Sequence, residues 1–167
     1  MHDVIKTTDS NYVATGFSPY VGGGAQNAAL IVKFNDTGDT LWTKSFLAIG
    51  EEIGSSLDET NDGGFVFCGR SGIGGNFNDH SGFIIRTDEL GNTIWKKQVA
   101  DSCLRLTLTD VIAHPDGTIT TYGYSSCDTY LSHKFLIKLD ANGNEIWTRR
   151  YINLDGIYMP QFKSNIQ

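Results

Sequence analysis

Four histidines, His2, His80, His114 and His133, and three cysteines, Cys68, Cys103 and Cys127, are the residues of this 167-residue chain most suited to acid–base, nucleophilic or metal chemistry. None of the histidines stands beside a nucleophile in sequence, and local spacing assembles no nucleophile, base and orienting group. Asp79-His80, flanked by Asn76 and Asn78, is the densest group of potential ligands, and it reads first as a solvated polar loop. No CxxC pair and no zinc-spaced Cys/His set occurs, which argues against a structural metal. Asp140-Ala-Asn-Gly-Asn-Glu145 resembles a calcium loop on the surface. An EF-hand, however, runs further to a bidentate Glu, and Trp147 arrives too soon. Calcium held by Glu51, Glu52 and Asp58 is the one cofactor the sequence leaves open. These residues lead to the expectation that the chain is not an enzyme.

The composition narrows the remaining possibilities. The chain is 40% hydrophobic and 19% charged, which is enough apolar material for a real core. Its net charge of −6 and pI near 5.0 argue against nucleic acid, whose phosphates call for a basic footprint. No apolar run is long enough to span a membrane as a helix. Met1-His2-Asp3-Val4 has neither the basic nor the apolar region of a signal peptide. With 19 Gly, many Asn, Asp, Thr and Ser, and no convincing helical periodicity, the chain reads as all-β with many turns.

A repeat sets the architecture. Leu30-Ile-Val-Lys-Phe-Asn-Asp-Thr-Gly-Asp-Thr-Leu-Trp42 recurs as Phe83-Ile-Ile-Arg-Thr-Asp-Glu-Leu-Gly-Asn-Thr-Ile-Trp95 and as Phe135-Leu-Ile-Lys-Leu-Asp-Ala-Asn-Gly-Asn-Glu-Ile-Trp147. A fixed period of about 52 residues signals a repeat fold. Each copy reads as four strands. A first hairpin carries Asp9-Ser-Asn11, Asp62-Gly-Gly64 or Asp116-Gly-Thr118, which suggests a type I′ turn. The second strand holds a glycine at one place, Gly16, Gly69 or Gly123, and predicts crowding there against a neighbouring unit. A second hairpin, with Asp or Asn first and Gly last, fits a type I turn closed by a left-handed residue. A cation follows each tryptophan by two residues (Lys44, Lys97, Arg149) and is expected to lay its stem along apolar surface.

Four-stranded units of this length predict β-propeller blades, spanning approximately 3–55, 56–109 and 110–159, with 160–167 as the start of another. One four-stranded sheet cannot bury both faces alone, so neighbours must stack. Propellers of this type close into rings of about four to eight blades. The chain is therefore expected to be part of a larger ring, or to complete one by homo-oligomerising. Trp42, Trp95 and Trp147 are the expected blade-docking residues. The repeated turns fall at one rim, and the blade connections and non-repeating loops at the other. Binding residues concentrate on variable loops held by a rigid scaffold, so Tyr20, Phe77, Asp79, His80 and Tyr130 are the candidate contacts. Cys103 and Cys127 share that rim, within reach of a disulfide in an oxidising compartment. Cys68 alternates into a strand interior as a small buried hydrophobe.

The repeat resembles one found in secreted and cell-surface proteins of the Bacteroidetes, many of them type IX secretion cargo. The likeness rests on the segment from Gly50 to Gly69 and on Phe135 to Trp147. It departs at Ala28, Ser81 and His133, where the family pattern has Asp. The resemblance implies a propeller, an extracellular or cell-surface setting, and a role in adhesion, protein binding or structural display. A carbohydrate-binding propeller is an alternative. The Asp-x-x-Gly-x-x-x-Trp layout is also similar to the blades of quinoprotein dehydrogenases, which would make the chain a fragment of such an enzyme. Expected partners are a protein or glycan at the cell surface, or further blades.

Overall fold

The computed structural model describes residues 1–19, 27–46, 50–73, 80–100, 105–126 and 132–152. Among them the structure is all β. The first unit holds β1 (Asp3–Lys6), β2 (Tyr12–Pro19), β3 (Asn27–Phe34) and β4 (Thr40–Phe46). The second holds β5 (Gly50–Glu59), β6 (Phe65–Ile73), β7 (His80–Thr87) and β8 (Thr93–Val99). The third holds β9 (Arg105–Ala113), β10 (Ile119–Ser126), β11 (Ser132–Leu139) and β12 (Glu145–Ile152). Within each unit, successive strands pair antiparallel. The second and third units are joined into one eight-stranded sheet by a single parallel bridge, His80 to Arg105. The expected separation into three independent sheets is thus relaxed at that one point. β5 and β9 also start earlier than the turn spacing suggests, because each runs on past a β-bulge.

All six repeated turns share one design. In the first, Ser10 N donates to Thr7 O at 3.0 Å and Thr7 N to Asn11 O at 2.9 Å. Only one residue of each turn takes a positive φ: Ser10, Gly38, Gly63, Gly91, Gly117 and Gly143. This corrects the type I′ expectation, which requires two such residues. The Asp is not there for a left-handed backbone. Its carboxylate accepts from the turn itself, as Asp116 does from Thr118 N at 2.9 Å and Thr118 Oγ1 at 2.6 Å.

Beyond the second turn, a bulge places Lys33 opposite Trp42 but Phe34 opposite Thr40. The extra residue, Leu41, is half exposed, as are its counterparts Ile94 and Ile146. Expelling one apolar residue rotates the tryptophan onto the face that meets the next unit.

Strand alternation then builds two cores, one on each side of the second unit. Leu57, Phe65, Phe67, Phe83 and Ile85 pack with Val13, Ala29 and Ile31 of the first unit. Val66, Cys68 and Ile84 pack with Leu106, Leu108, Val111, Ile119, Phe135, Ile137 and Leu139 of the third. The strand glycine does mark close approach, but to its own unit. A Cβ on Gly69 would lie 2.0 Å from Ile53 O, on the bulged strand beside it. The crowding expected from a neighbouring unit is therefore corrected: at Gly69 and Gly123 it comes from the bulged first strand of the same unit, and at Gly16 from the backbone of Met1.

Candidate functional site

Antiparallel order decides what each end of the stack presents. β1, β3, β5, β7, β9 and β11 run toward the end that carries the six repeated turns. The other end receives the strand termini that bound the non-repeating loops and the unit-to-unit connections: Pro19 with Asn27, Gly72 with His80, and Ser126 with Ser132. Of the expected contacts, Tyr20, Phe77, Asp79 and Tyr130 lie outside the described residues, as do Cys103, Cys127 and 160–167. His80 lies at the expected rim. It is half-buried, and its Nε2 is 3.1 Å from Thr107 Oγ1 of the third unit, so it serves to tie the second unit to the third.

Other polar groups gather near that rim. Asn27 Nδ2 donates to Glu51 across the first seam. Glu52 is fully buried, and its Oε1 accepts from Lys96 Nζ at 2.5 Å. Its Oε2 has no hydrogen-bond partner among the described residues, which is unusual for a buried carboxylate. The calcium set suggested by Glu51, Glu52 and Asp58 is taken apart by the bulge in β5. Glu52 faces the first unit, whereas Asp58 faces the third and accepts from Ala113 N at 2.8 Å. The described histidines have separate local partners. His2 Nδ1 lies 2.8 Å from Gly54 O, His114 Nε2 lies 2.8 Å from Thr120 Oγ1, and His133 packs edge-on against Phe135. Cys68 is fully buried and its thiol pKa is pushed up by that burial, so it behaves as a hydrophobe.

A ladder of carboxylates on the first strands of the units escaped sequence reasoning. Asp3 Oδ2 accepts from Leu57 N and Ser56 Oγ, each at 3.0 Å, and Ser56 Oγ also lies 2.9 Å from Asp110 Oδ1. A hydroxyl has one proton, so Ser56 donates to one carboxylate at a time. Burial, foremost among the causes, holds the Asp58 and Asp110 carboxyls above the ordinary range. The signal was in the repeat: Asp3, Ser56 and Asp110 occupy one position of it.

Trp42 and Trp95 join the units. The Trp95 indole lies against Gly143 in the turn of the third unit, where a Cβ would sit 3.0 Å from the ring, and its Nε1 donates to Ala141 O at 3.0 Å. Trp42 meets Gly91 in the same way, about as closely as a Cβ at 3.1 Å. The cations that follow reach the same turns: Lys44 Nζ donates to Asn92 Oδ1 at 3.0 Å and Lys97 Nζ to Gly143 O at 3.2 Å. The expectation for these cations concerned their stems; their heads add a bond to the neighbouring turn. Between β8 of the second unit and β11 and β12 of the third runs a groove of about 570 Å³, lined by Lys97, Gln98, Phe135, Glu145 and Arg150 among others.

No protein-family model and no characterised protein sequence matches the chain. No helix among the described residues is long and apolar enough to cross a membrane.

Proposed function

We propose that the three units are consecutive blades of a β-propeller, and that the chain is a non-enzymatic extracellular or cell-surface module that binds another protein at one rim. The observation that carries this reading is the division of the two ends. Six turns of one design occupy one end, and every non-repeating loop springs from the other. A scaffold that repeats everywhere except at one rim is suited to presenting that rim to a partner. Kinship with the surface repeat proteins of the Bacteroidetes, and with their route of export, belongs to the same proposal.

The test is proximity cross-linking from the rim on intact cells, with Tyr20→Ala, Phe77→Ala and Tyr130→Ala compared with Leu90→Ala at the opposite end. The reading expects a protein adduct that the three rim substitutions weaken and Leu90→Ala leaves intact. Glycan-array binding lost with the same rim substitutions would move the partner from protein to carbohydrate. A quinone absorbance band in the purified protein would replace the binding role with an enzymatic one.

A further inference from the structure

Each seam of the stack is made by the same parts, and among the described residues each end of the stack carries one set that makes no such contact. At the seams, Trp42 meets Gly91 and Trp95 meets Gly143. Trp147 is the third tryptophan of the series, and none of the described left-handed glycines lies against it. Gly38 is the third glycine of the series, and nothing lies within 4 Å of the position a Cβ would take there. The following cation repeats the point. Lys44 and Lys97 bond across a seam, whereas Arg149 donates to Thr148 O of its own unit at 3.2 Å and lies 5.7 Å from the centre of the Trp147 ring.

The inner strands add a second, independent match. Leu57 and Val111 occupy one repeat position, and each is 2% exposed because it packs against the preceding unit. Val4 occupies the same position in the first unit and is 55% exposed. The surface that receives Leu57 includes Ile5, Val13 and Ile31. Their repeat counterparts on the third unit are Ile112, Thr120 and Leu136, and these line an open pocket of about 110 Å³. The third unit thus has a pocket where a Val4-like residue would go, and the first unit has an exposed Val4.

We infer that two copies of this 167-residue stretch dock head to tail, Trp147 under Gly38 and Val4 in the Ile112–Leu136 pocket, and that two such joints close a ring of six units. A heterologous contact closes only if the rotation per unit permits it. Propellers close at about four to eight blades, and with three described units in each 167-residue stretch six is the multiple of three in that range. The inference rests on the propeller reading. It can fail separately, since the pairing is read from mass and the propeller from the angle between sheets.

The experiment is sedimentation velocity across a concentration series of the 167-residue chain, with Val4→Asp, Trp147→Ala and Ile94→Asn, each checked for fold by circular dichroism. The inference expects a species of twice the 18.4 kDa chain. Val4→Asp and Trp147→Ala should each weaken it at least tenfold. Ile94→Asn changes an exposed bulge residue away from both faces and should not. An equimolar mixture of Val4→Asp and Trp147→Ala should associate better than either alone, because one joint of the mixed pair is intact. A monomer at every concentration overturns the inference, as does a dimer indifferent to both substitutions, or an open series longer than two.

Discussion

Truncating three equivalent tryptophans should cost unequal amounts, because the structure puts them in unequal surroundings. Trp95 is half-buried, lies flat on Gly143 and donates to Ala141 O. Full truncation of a buried tryptophan costs about 3–5 kcal/mol. Half-burial brings the packing share to roughly 2 kcal/mol, and the lost hydrogen bond adds about 1 kcal/mol. Trp95→Ala should therefore destabilise the monomer by about 3 kcal/mol. Trp147 has the Arg149 guanidinium beside it but no described turn beneath it, so Trp147→Ala should cost about 1 kcal/mol or less in the monomer. Urea denaturation at low protein concentration, where self-association is negligible, measures the difference. With a slope of about 2 kcal/mol/M, Trp95→Ala lowers the midpoint by roughly 1.5 M and Trp147→Ala by about 0.5 M or less. Equal losses would refute the seam account, since the tryptophans would then act within their own units.

Gly69→Ala should destabilise by about 3 kcal/mol in thermal denaturation, because the new methyl falls on Ile53 O and backbone cannot step aside; a neutral result would contradict the bulge geometry. Lys96→Ala should cost about 3–5 kcal/mol by stranding the buried Glu52 carboxylate, whereas Glu52→Met with Lys96→Met should recover most of that; a milder single variant would mean that Glu52 is held by other groups. Acid should weaken the fold. Hydrogen bonds from Thr37, Asn92, Thr118 and Asn144 hold Asp39, Asp88, Asp116 and Asp140 below the ordinary value of 3.8, so their stabilisation is present above that pH and lost as pH falls through the folded values. Asp58 and Asp110 are raised and act in the opposite sense, but they are fewer. A urea midpoint that fails to fall between about pH 4 and pH 2 would contradict this balance.

The strand order and the seam contacts of Trp42 and Trp95 were legible because the pattern is written three times. A single Asp-x-x-Gly before a tryptophan would suggest a turn or a ligand loop; three copies in register make it a joint. The bulges were not legible, since Leu41, Ile94 and Ile146 look like core residues until the register shift turns them outward. Asp-Gly was misleading for a related reason: one left-handed residue satisfies a bulged hairpin as readily as two satisfy a type I′ turn. The Glu52–Lys96 pair joins residues 44 positions apart on the first and fourth strands of one unit, and no local pattern announces it. The rim was legible only as a location, because strand direction fixes where the loops emerge but not what they hold.

A crystal structure of the purified chain, grown where it self-associates, tests the central claim most directly. The account predicts six four-stranded sheets around one axis, with β1, β5 and β9 of both copies lining it and Trp147 seated under Gly38 of the other copy. Sheets stacked in line without a common axis would contradict it.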